Sequence, residues 1–111
     1  MGRRARNTHD DQEDSDEACR LDVWLYRTRL LKTRALASRM ISKGKIRLKR
    51  NGQIDRIKKP HALIRPGDSV IFMRGTELIT VTMQGAGTRR GPASEAQQLY
   101  SRDDENTDRI Y

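Results

Sequence analysis

The sequence predicts an α+β fold in which two N-terminal helices pack on a small antiparallel sheet of about four strands, followed by a short C-terminal helix. Two observations indicate this fold. Apolar residues recur at helical spacing from Leu21 to about residue 43 and then alternate strictly, which is the period of a strand. Turn signals then follow one another at short intervals, as they do between the strands of an antiparallel sheet.

An apolar stripe predicts the first helix over residues 21–31, formed by Leu21, Trp24, Leu25 and Leu31. Thr33 is expected to be the N-cap of a second helix over residues 34–43. Gly44 is expected to end that helix, because glycine tolerates the backbone conformation of a C-terminal cap. Trp24 falls on the apolar stripe, so we assign it to the core.

Strict alternation begins at Lys45 and predicts a strand with Ile46 and Leu48 on one face and cations on the other. Asn51-Gly52 is typical of a hairpin turn. A return strand containing Ile54 and Ile57 and a short extended piece at 62–64 are expected next. Two further strands are expected at 70–73 and 78–83, joined around Gly75. A helix at 93–100 is expected after Gly91-Pro92.

Charge and apolar residues are unevenly distributed along the 111 residues. The stretch 21–85 holds 19 of the 21 Leu, Ile, Val and Phe residues and carries 15 basic against four acidic residues, a net charge of +11 against +8 for the whole chain. The run 10–17 has six acidic residues and no apolar one, a composition typical of disorder. We therefore expect a disordered acidic tail at 1–19, a nucleic-acid-binding domain at 20–85, a segment with the short helix at 86–100, and a disordered tail at 101–111.

Several classes of protein are excluded by the same residues. No run of 18 apolar residues and no secretory signal is found, so we expect a cytoplasmic protein without a membrane partner. Cys19 is the single cysteine, and it is expected to be inert in the acidic tail. His9 and His61 are isolated, so no metal site or catalytic triad is expected. We predict no enzymatic role, no cofactor and no metal.

The excess of cations predicts a polyphosphate partner, because each neutralised phosphate releases counterions. We expect one continuous basic surface, formed by the cations off the apolar stripe of the second helix and those on the outer face of the first strand. The scarcity of aromatic residues favours recognition of RNA shape and backbone over base stacking. A basic DNA-binding or nucleoid-type protein is the alternative. A helix-turn-helix is disfavoured, since only Leu31, Lys32 and Thr33 separate the two helices and strands follow at once. A third possibility is an adaptor that uses the acidic tails.

An ordered series of motifs resembles the RNA-binding domain named after ribosomal small-subunit protein four, here called the S-four domain, over roughly residues 20–73. The series is Arg20-Leu21-Asp22-Val23-Trp24-Leu25, Lys32-Thr33-Arg34-Ala35-Leu36-Ala37, Ile41-Ser42-Lys43-Gly44-Lys45-Ile46-Arg47, Asn51-Gly52 and Pro66-Gly67-Asp68. A further stretch is similar to one branch, the small heat-shock-induced, ribosome-associated proteins of bacteria: Arg89-Arg90-Gly91-Pro92-Ala93-Ser94-Glu95-Ala96, ending at Leu99-Tyr100.

The resemblance implies an αL-type motif that grips structured RNA, with Asp22 orienting the first helix rather than touching RNA. The implied partner is ribosomal RNA of the large subunit. The implied role of proteins in this branch is to act on stalled large subunits that still carry peptidyl-tRNA. We expect a monomer. Together with the charge pattern, the resemblance gives as candidate RNA-binding residues Arg20, Arg27, Lys32, Thr33, Arg34, Arg39, Lys43, Lys45, Arg47, Lys49 and Arg50.

Two features depart from the family pattern. The stretch 48–60 is longer than the usual strand–turn–strand and adds cations, which either enlarge the basic surface or belong only to a longer hairpin. Some branch members carry a long basic C-terminal extension, whereas acidic residues follow position 102 here. This difference affects the subunit-rescue role more than it affects RNA binding. S-four domains also accompany pseudouridine synthases and tyrosyl-tRNA synthetases, but no such catalytic domain is expected after residue 85.

Overall fold

A computed structural model of the chain describes residues 18–103, so most of the expected tails at 1–19 and 101–111 lies outside the described residues. In chain order the elements are β1 (Cys19–Arg20), α1 (Leu21–Arg27), α2 (Arg34–Ser42), β2 (Ile46–Arg50), β3 (Gln53–Ile57), β4 (Leu63–Ile64), β5 (Ser69–Arg74), β6 (Glu77–Met83), α3 (Ala93–Ala96), a 3-10 turn (Gln97–Leu99) and β7 (Tyr100–Arg102). Within 18–103, no helix is long and apolar enough to cross a membrane.

The strands form a five-stranded antiparallel sheet and a separate two-stranded ladder. The order in the large sheet is β3-β2-β5-β6-β7, and β1 pairs with β4 in the small one. The predicted α+β class is confirmed. The strand count exceeds the expected four because β7 extends the large sheet and because β1 and β4 are short elements that alternation does not reveal.

One face of the large sheet is buried together with apolar residues of α1 and α2. Burial alternates along β2, β5 and β6, as the strand period requires. Trp24 in α1 is completely buried, and its indole Nε1 donates a hydrogen bond of 2.9 Å to the carbonyl oxygen of Gly85. The assignment of Trp24 to the core is therefore confirmed.

The first helix ends earlier than the apolar spacing predicts. It stops at Arg27, and the prediction that it reaches Leu31 is wrong. The Thr28 hydroxyl donates to the Leu25 carbonyl oxygen at 3.1 Å, and Arg29 has a left-handed φ of 64°. A threonine that bonds back to the preceding turn competes with helix propagation. Leu30 and Leu31 still reach the core, from a six-residue connection at 28–33 rather than from a helix.

The second helix and the hairpin form as predicted. The Thr33 hydroxyl accepts a hydrogen bond of 2.9 Å from the backbone N–H of Leu36 and so acts as N-cap. Gly44 follows the last helical turn with φ of 73°, which only glycine adopts without strain. Asn51 and Gly52 also have positive φ, 53° and 80°, as in the tight turns that match the twist of a hairpin.

The segment 86–100 is an integral part of the fold rather than an addition to it. Arg27 Nη1 donates to the carbonyl oxygens of Ala86 and Gly87 at 3.3 and 2.8 Å. The Arg90 guanidinium lies 4.8 Å from the centre of the Tyr26 ring. The expected helix at 93–100 is one α-helical turn and a 3-10 turn, because Tyr100 already begins β7. The expected tail boundary at 101 is wrong for the same reason, since β7 extends to residue 102.

Cys19 also lies inside the fold, so the expected boundary at residue 19 is wrong. It pairs with Ile64 in the ladder between β1 and β4 and is 8% exposed. Burial raises the pKa of the Cys19 thiol above its ordinary value, although the nearby Arg27 charge opposes this effect. A buried, protonated thiol is a poor nucleophile.

We predict that the Cys19 thiol reacts with a chromogenic disulfide reagent roughly tenfold or more slowly in the native protein than in urea, at about pH 8. Because the chain has a single cysteine, the reaction rate reports this position alone. Equal rates in the two conditions would place Cys19 in a solvent-exposed tail and contradict the β1–β4 pairing.

Candidate nucleic-acid interface

Strand β2 divides its side chains between the core and solvent. Ile46 and Leu48 are buried, whereas Arg47 and Lys49 are exposed on the opposite face of the sheet. The hairpin places Arg56 of β3 directly opposite Arg47. Like charges that face each other across two strands destabilise the pair, so this arrangement costs free energy unless an anion neutralises it.

More cations lie where α2 ends. A Cβ added to Gly44 would lie 2.9 Å from Arg56 Cδ and 3.3 Å from Lys58 Cε, so these two long side chains pass close to the end of the helix. Lys43 and Lys45 flank this glycine in the sequence and are exposed. The carbonyl end of a helix carries partial negative charge, which favours cations there.

The cations around the end of α2 and the outer face of the β2–β3 hairpin are named the basic surface: Arg39, Lys43, Lys45, Arg47, Lys49, Arg56 and Lys58. All seven are exposed. None of them forms an ion pair with a carboxylate of residues 18–103, in contrast to the six pairs found elsewhere in this part of the chain. The basic surface therefore presents positive charge that the described fold leaves unneutralised.

Arg56 and Lys58 are absent from the set that the sequence predicts. Their position follows from the register of the hairpin. Counting back from the turn at 51–52 places residue 53 opposite residue 50 and residue 56 opposite residue 47. The Asn51-Gly52 turn therefore fixes the register of the hairpin, and that register places Arg56 on the same face as Arg47. The open question on the longer stretch 48–60 is answered in part, since it brings three cations, Lys49, Arg56 and Lys58, to the basic surface.

Asp22 holds two of the predicted residues, Arg20 and Arg34. Its carboxylate is 2% exposed and accepts hydrogen bonds from Arg20 Nε and Nη2 at 3.1 and 2.9 Å. It also accepts from the Ser38 hydroxyl at 3.2 Å and lies 3.7 Å from Arg34 Nη2. Because Ser38 and Arg34 belong to α2, this carboxylate ties the start of α1 to the second helix. The contacts support the orienting role that the resemblance implies for Asp22.

Arg27 and Arg50 have structural contacts that the sequence does not reveal. Arg27 Nη1 is bonded to the segment after β6 and lies 3.7 Å from Cys19 Sγ. Arg50 donates to both oxygens of the buried Asp68, at 3.0 and 2.6 Å, and this hydrogen bonding raises the pKa of the Arg50 guanidinium. Thr33 uses its hydroxyl as a helix cap. We therefore leave Arg27, Arg50 and Thr33 out of the basic surface.

Lys32 is exposed but lies before the start of α2, at the end of that helix opposite to Lys43. A helix of nine residues separates the two ends by about 14 Å. Asp22 brings Arg20 and Arg34 together near the start of α2, and Lys32 lies two residues before that helix. Within residues 18–103, no group of three or more His, Cys, Asp or Glu residues is placed to hold a metal ion.

Comparisons with known proteins identify the family of this chain. The family model of the S4 domain, which is the S-four domain of the sequence resemblance, matches residues 19–70. The chain is 37% identical over 90 residues to heat shock protein 15 of Escherichia coli K12, an alignment that covers 81% of this chain and 64% of that protein. The corresponding homolog in Haemophilus influenzae is 31% identical over 86 residues.

A solved trimeric structure of heat shock protein 15 from Vibrio cholerae matches with a TM-score of 0.71 and 35% identity, over 83% of this chain and 88% of that one. The chain therefore belongs to the S4-domain family, in the branch of heat shock protein 15. It spans slightly less than two thirds of the length of its curated relatives in E. coli and H. influenzae.

Replacing Arg50 by Ala is expected to lower the free energy of unfolding by about 1–3 kcal/mol, because the buried Asp68 loses its two charged hydrogen bonds. Replacing the neighbouring Lys49 by Ala should leave the stability within about 0.5 kcal/mol, since Lys49 is exposed and has no partner among the described carboxylates. Urea denaturation followed by circular dichroism measures both. Equal stability of the two variants would show that the Arg50–Asp68 contact does not support the fold.

Proposed function

We propose that this protein binds structured RNA through the basic surface, and that Arg20, Lys32 and Arg34 extend the contact along α2. The single observation that carries the proposal is the set of seven exposed cations that have no carboxylate partner among residues 18–103. A fold that places Arg47 opposite Arg56 is stabilised by an anionic ligand on that face. Membership of the S4-domain family supports the same partner.

The geometry favours contact with the phosphate backbone. Side chains two residues apart on a strand are about 7 Å apart, so Lys45, Arg47 and Lys49 can each meet a different phosphate. Each neutralised phosphate releases counterions, and this release drives the association. Lysine and arginine contacts of this kind position the RNA and carry little information about its sequence.

The basic surface includes no exposed aromatic side chain among the described residues. Trp24 and Phe72 are buried, and Arg90 covers the ring of Tyr26. A sheet that binds RNA by stacking bases needs exposed aromatic residues on its outer face. We therefore propose recognition of RNA shape and backbone as the main source of affinity.

The physiological partner that we propose is ribosomal RNA of the large subunit, in the cytoplasm, on stalled subunits that still carry peptidyl-tRNA. Support comes from the heat shock protein 15 branch to which the chain belongs, because the sequence resemblance links that branch to the ribosome. The expected monomer stays a prediction. The V. cholerae relative is described as trimeric, and the mass of this protein in solution decides between the two states.

Replacing Lys45 and Arg47 together by Ala is expected to weaken binding to a structured RNA fragment and to reduce the slope of log K against log salt by about two, one for each lost phosphate contact. Affinities are measured between about 50 and about 200 mM salt. The control replaces Arg89 and Arg102 by Ala, two arginines whose charge is already paired with Glu95 and Glu77.

The control variant removes the same charge and should keep the wild-type slope. Equal slopes for the two double variants would contradict the basic surface as the RNA site. Duplex DNA of the same length serves as a competitor. If it displaces RNA at equal concentration, the protein is a general nucleic-acid binder, and the DNA-binding alternative replaces our proposal.

When purified protein is mixed with isolated ribosomal subunits and centrifuged on a density gradient, we expect it to sediment with the large subunit. The Lys45 and Arg47 double variant should remain at the top of the gradient, because it lacks phosphate contacts. Sedimentation with the small subunit alone would overturn the proposed partner and leave RNA binding intact.

A further inference from the structure

A groove lies between α2 and the end of the sheet where β5 turns into β6. Its volume is about 620 Å³, and four members of the basic surface line it, Arg39, Lys43, Lys45 and Arg47, here called the rim. The apolar lining residues, which include Met40, Met73 and Leu78, are here called the floor. Cations and exposed apolar side chains therefore line the same groove.

The apolar floor has no role in phosphate binding. Met73 and Leu78 are 48% and 53% exposed and face each other across the β5–β6 pair. Apolar side chains left in water beside cations fit a ligand that combines negative charge with an apolar face. Methionine thioethers contact aromatic rings favourably, so this floor suits a flat ring better than an aliphatic chain.

The acidic run of this chain, residues 10–17, has a charge opposite to that of the rim, but it does not suit the apolar floor. Its sequence, Asp10-Asp11-Gln12-Glu13-Asp14-Ser15-Asp16-Glu17, contains no apolar side chain that could cover Met73 or Leu78. A nucleotide supplies both parts of the match, since its phosphate suits the rim and its base suits the floor. Paired bases are stacked inside a helix, so only an unpaired base can enter a groove.

We propose that this groove receives an unpaired nucleotide of the bound RNA, with the adjoining phosphates on Arg39, Lys43, Lys45 and Arg47. The inference rests on the proposed RNA binding and adds a preference for RNA that has an unpaired base beside a stem. Backbone contacts supply affinity, and the groove supplies selection among structured RNAs.

The test compares two RNA hairpins of equal length, one with a fully paired stem and one with a single bulged nucleotide, by competition binding to the full chain. We expect the bulged hairpin to bind about tenfold tighter, the gain typical of one base packed on a protein surface. Leu78→Ser and Met73→Ser should each reduce this preference severalfold and leave the affinity for the paired hairpin unchanged.

The matched control is Leu63→Ser. Leu63 is 49% exposed on β4 and does not line the groove, so this variant should keep the full preference. Equal binding of both hairpins by the wild-type protein would overturn the groove assignment and leave RNA binding standing. Absence of binding to either hairpin would reject the proposed function itself.

Two other occupants give distinct results that each contradict the proposal. If Leu78→Ser lowers the mass of the protein in solution without changing the hairpin preference, the floor is a contact between copies of this chain. If the wild-type protein binds both hairpins equally and neutralising the six acids of 10–17 produces the preference, the acidic run occupies the groove in the native chain.

Discussion

Burial of one face of the five-stranded sheet is the constraint on which the basic surface depends. Because side chains alternate along β2, placing Ile46 and Leu48 in the core forces Arg47 and Lys49 to the opposite face. A slip of one residue would bury both cations, at a cost far above the repulsion between exposed like charges. Packing against α1 and α2 thus holds the cations of the hairpin together even though they repel one another.

Two buried carboxylates give some of the arginines a structural role. Asp22 and Asp68 are the buried acidic residues of the described chain, and they bind Arg20, Arg34 and Arg50. Removing Arg20 leaves the buried Asp22, and removing Arg50 leaves the buried Asp68, without the charge-assisted hydrogen bonds of that arginine. The seven cations of the basic surface have no carboxylate partner among residues 18–103 and are therefore available to a ligand. Arg20 and Arg34 are intermediate, because Asp22 fixes their position and about half of each side chain stays exposed.

Local signals in the sequence predict the parts of the fold that depend on local physics. The Thr33 cap, the left-handed Gly44 and the Asn51-Gly52 turn all form as expected, because each is decided within a few residues. The role of Arg27 and the existence of β7 depend on contacts across about sixty residues and on pairing with β6. The end of α1 is decided locally, at Thr28 and Arg29, but the apolar spacing that continues to Leu31 hides it. The resemblance to a known family placed the domain correctly but could not separate Arg50, which is held by Asp68, from Lys49 beside it.

The most direct test of the central claim is a map of backbone amide chemical-shift changes as a structured fragment of large-subunit RNA is added to the protein. We predict the largest changes along residues 39–49 and 56–58, which carry the basic surface, and small changes at α3 and β7. Changes concentrated in 93–102, with residues 39–49 unaffected, would contradict the assignment of the basic surface as the site that binds RNA.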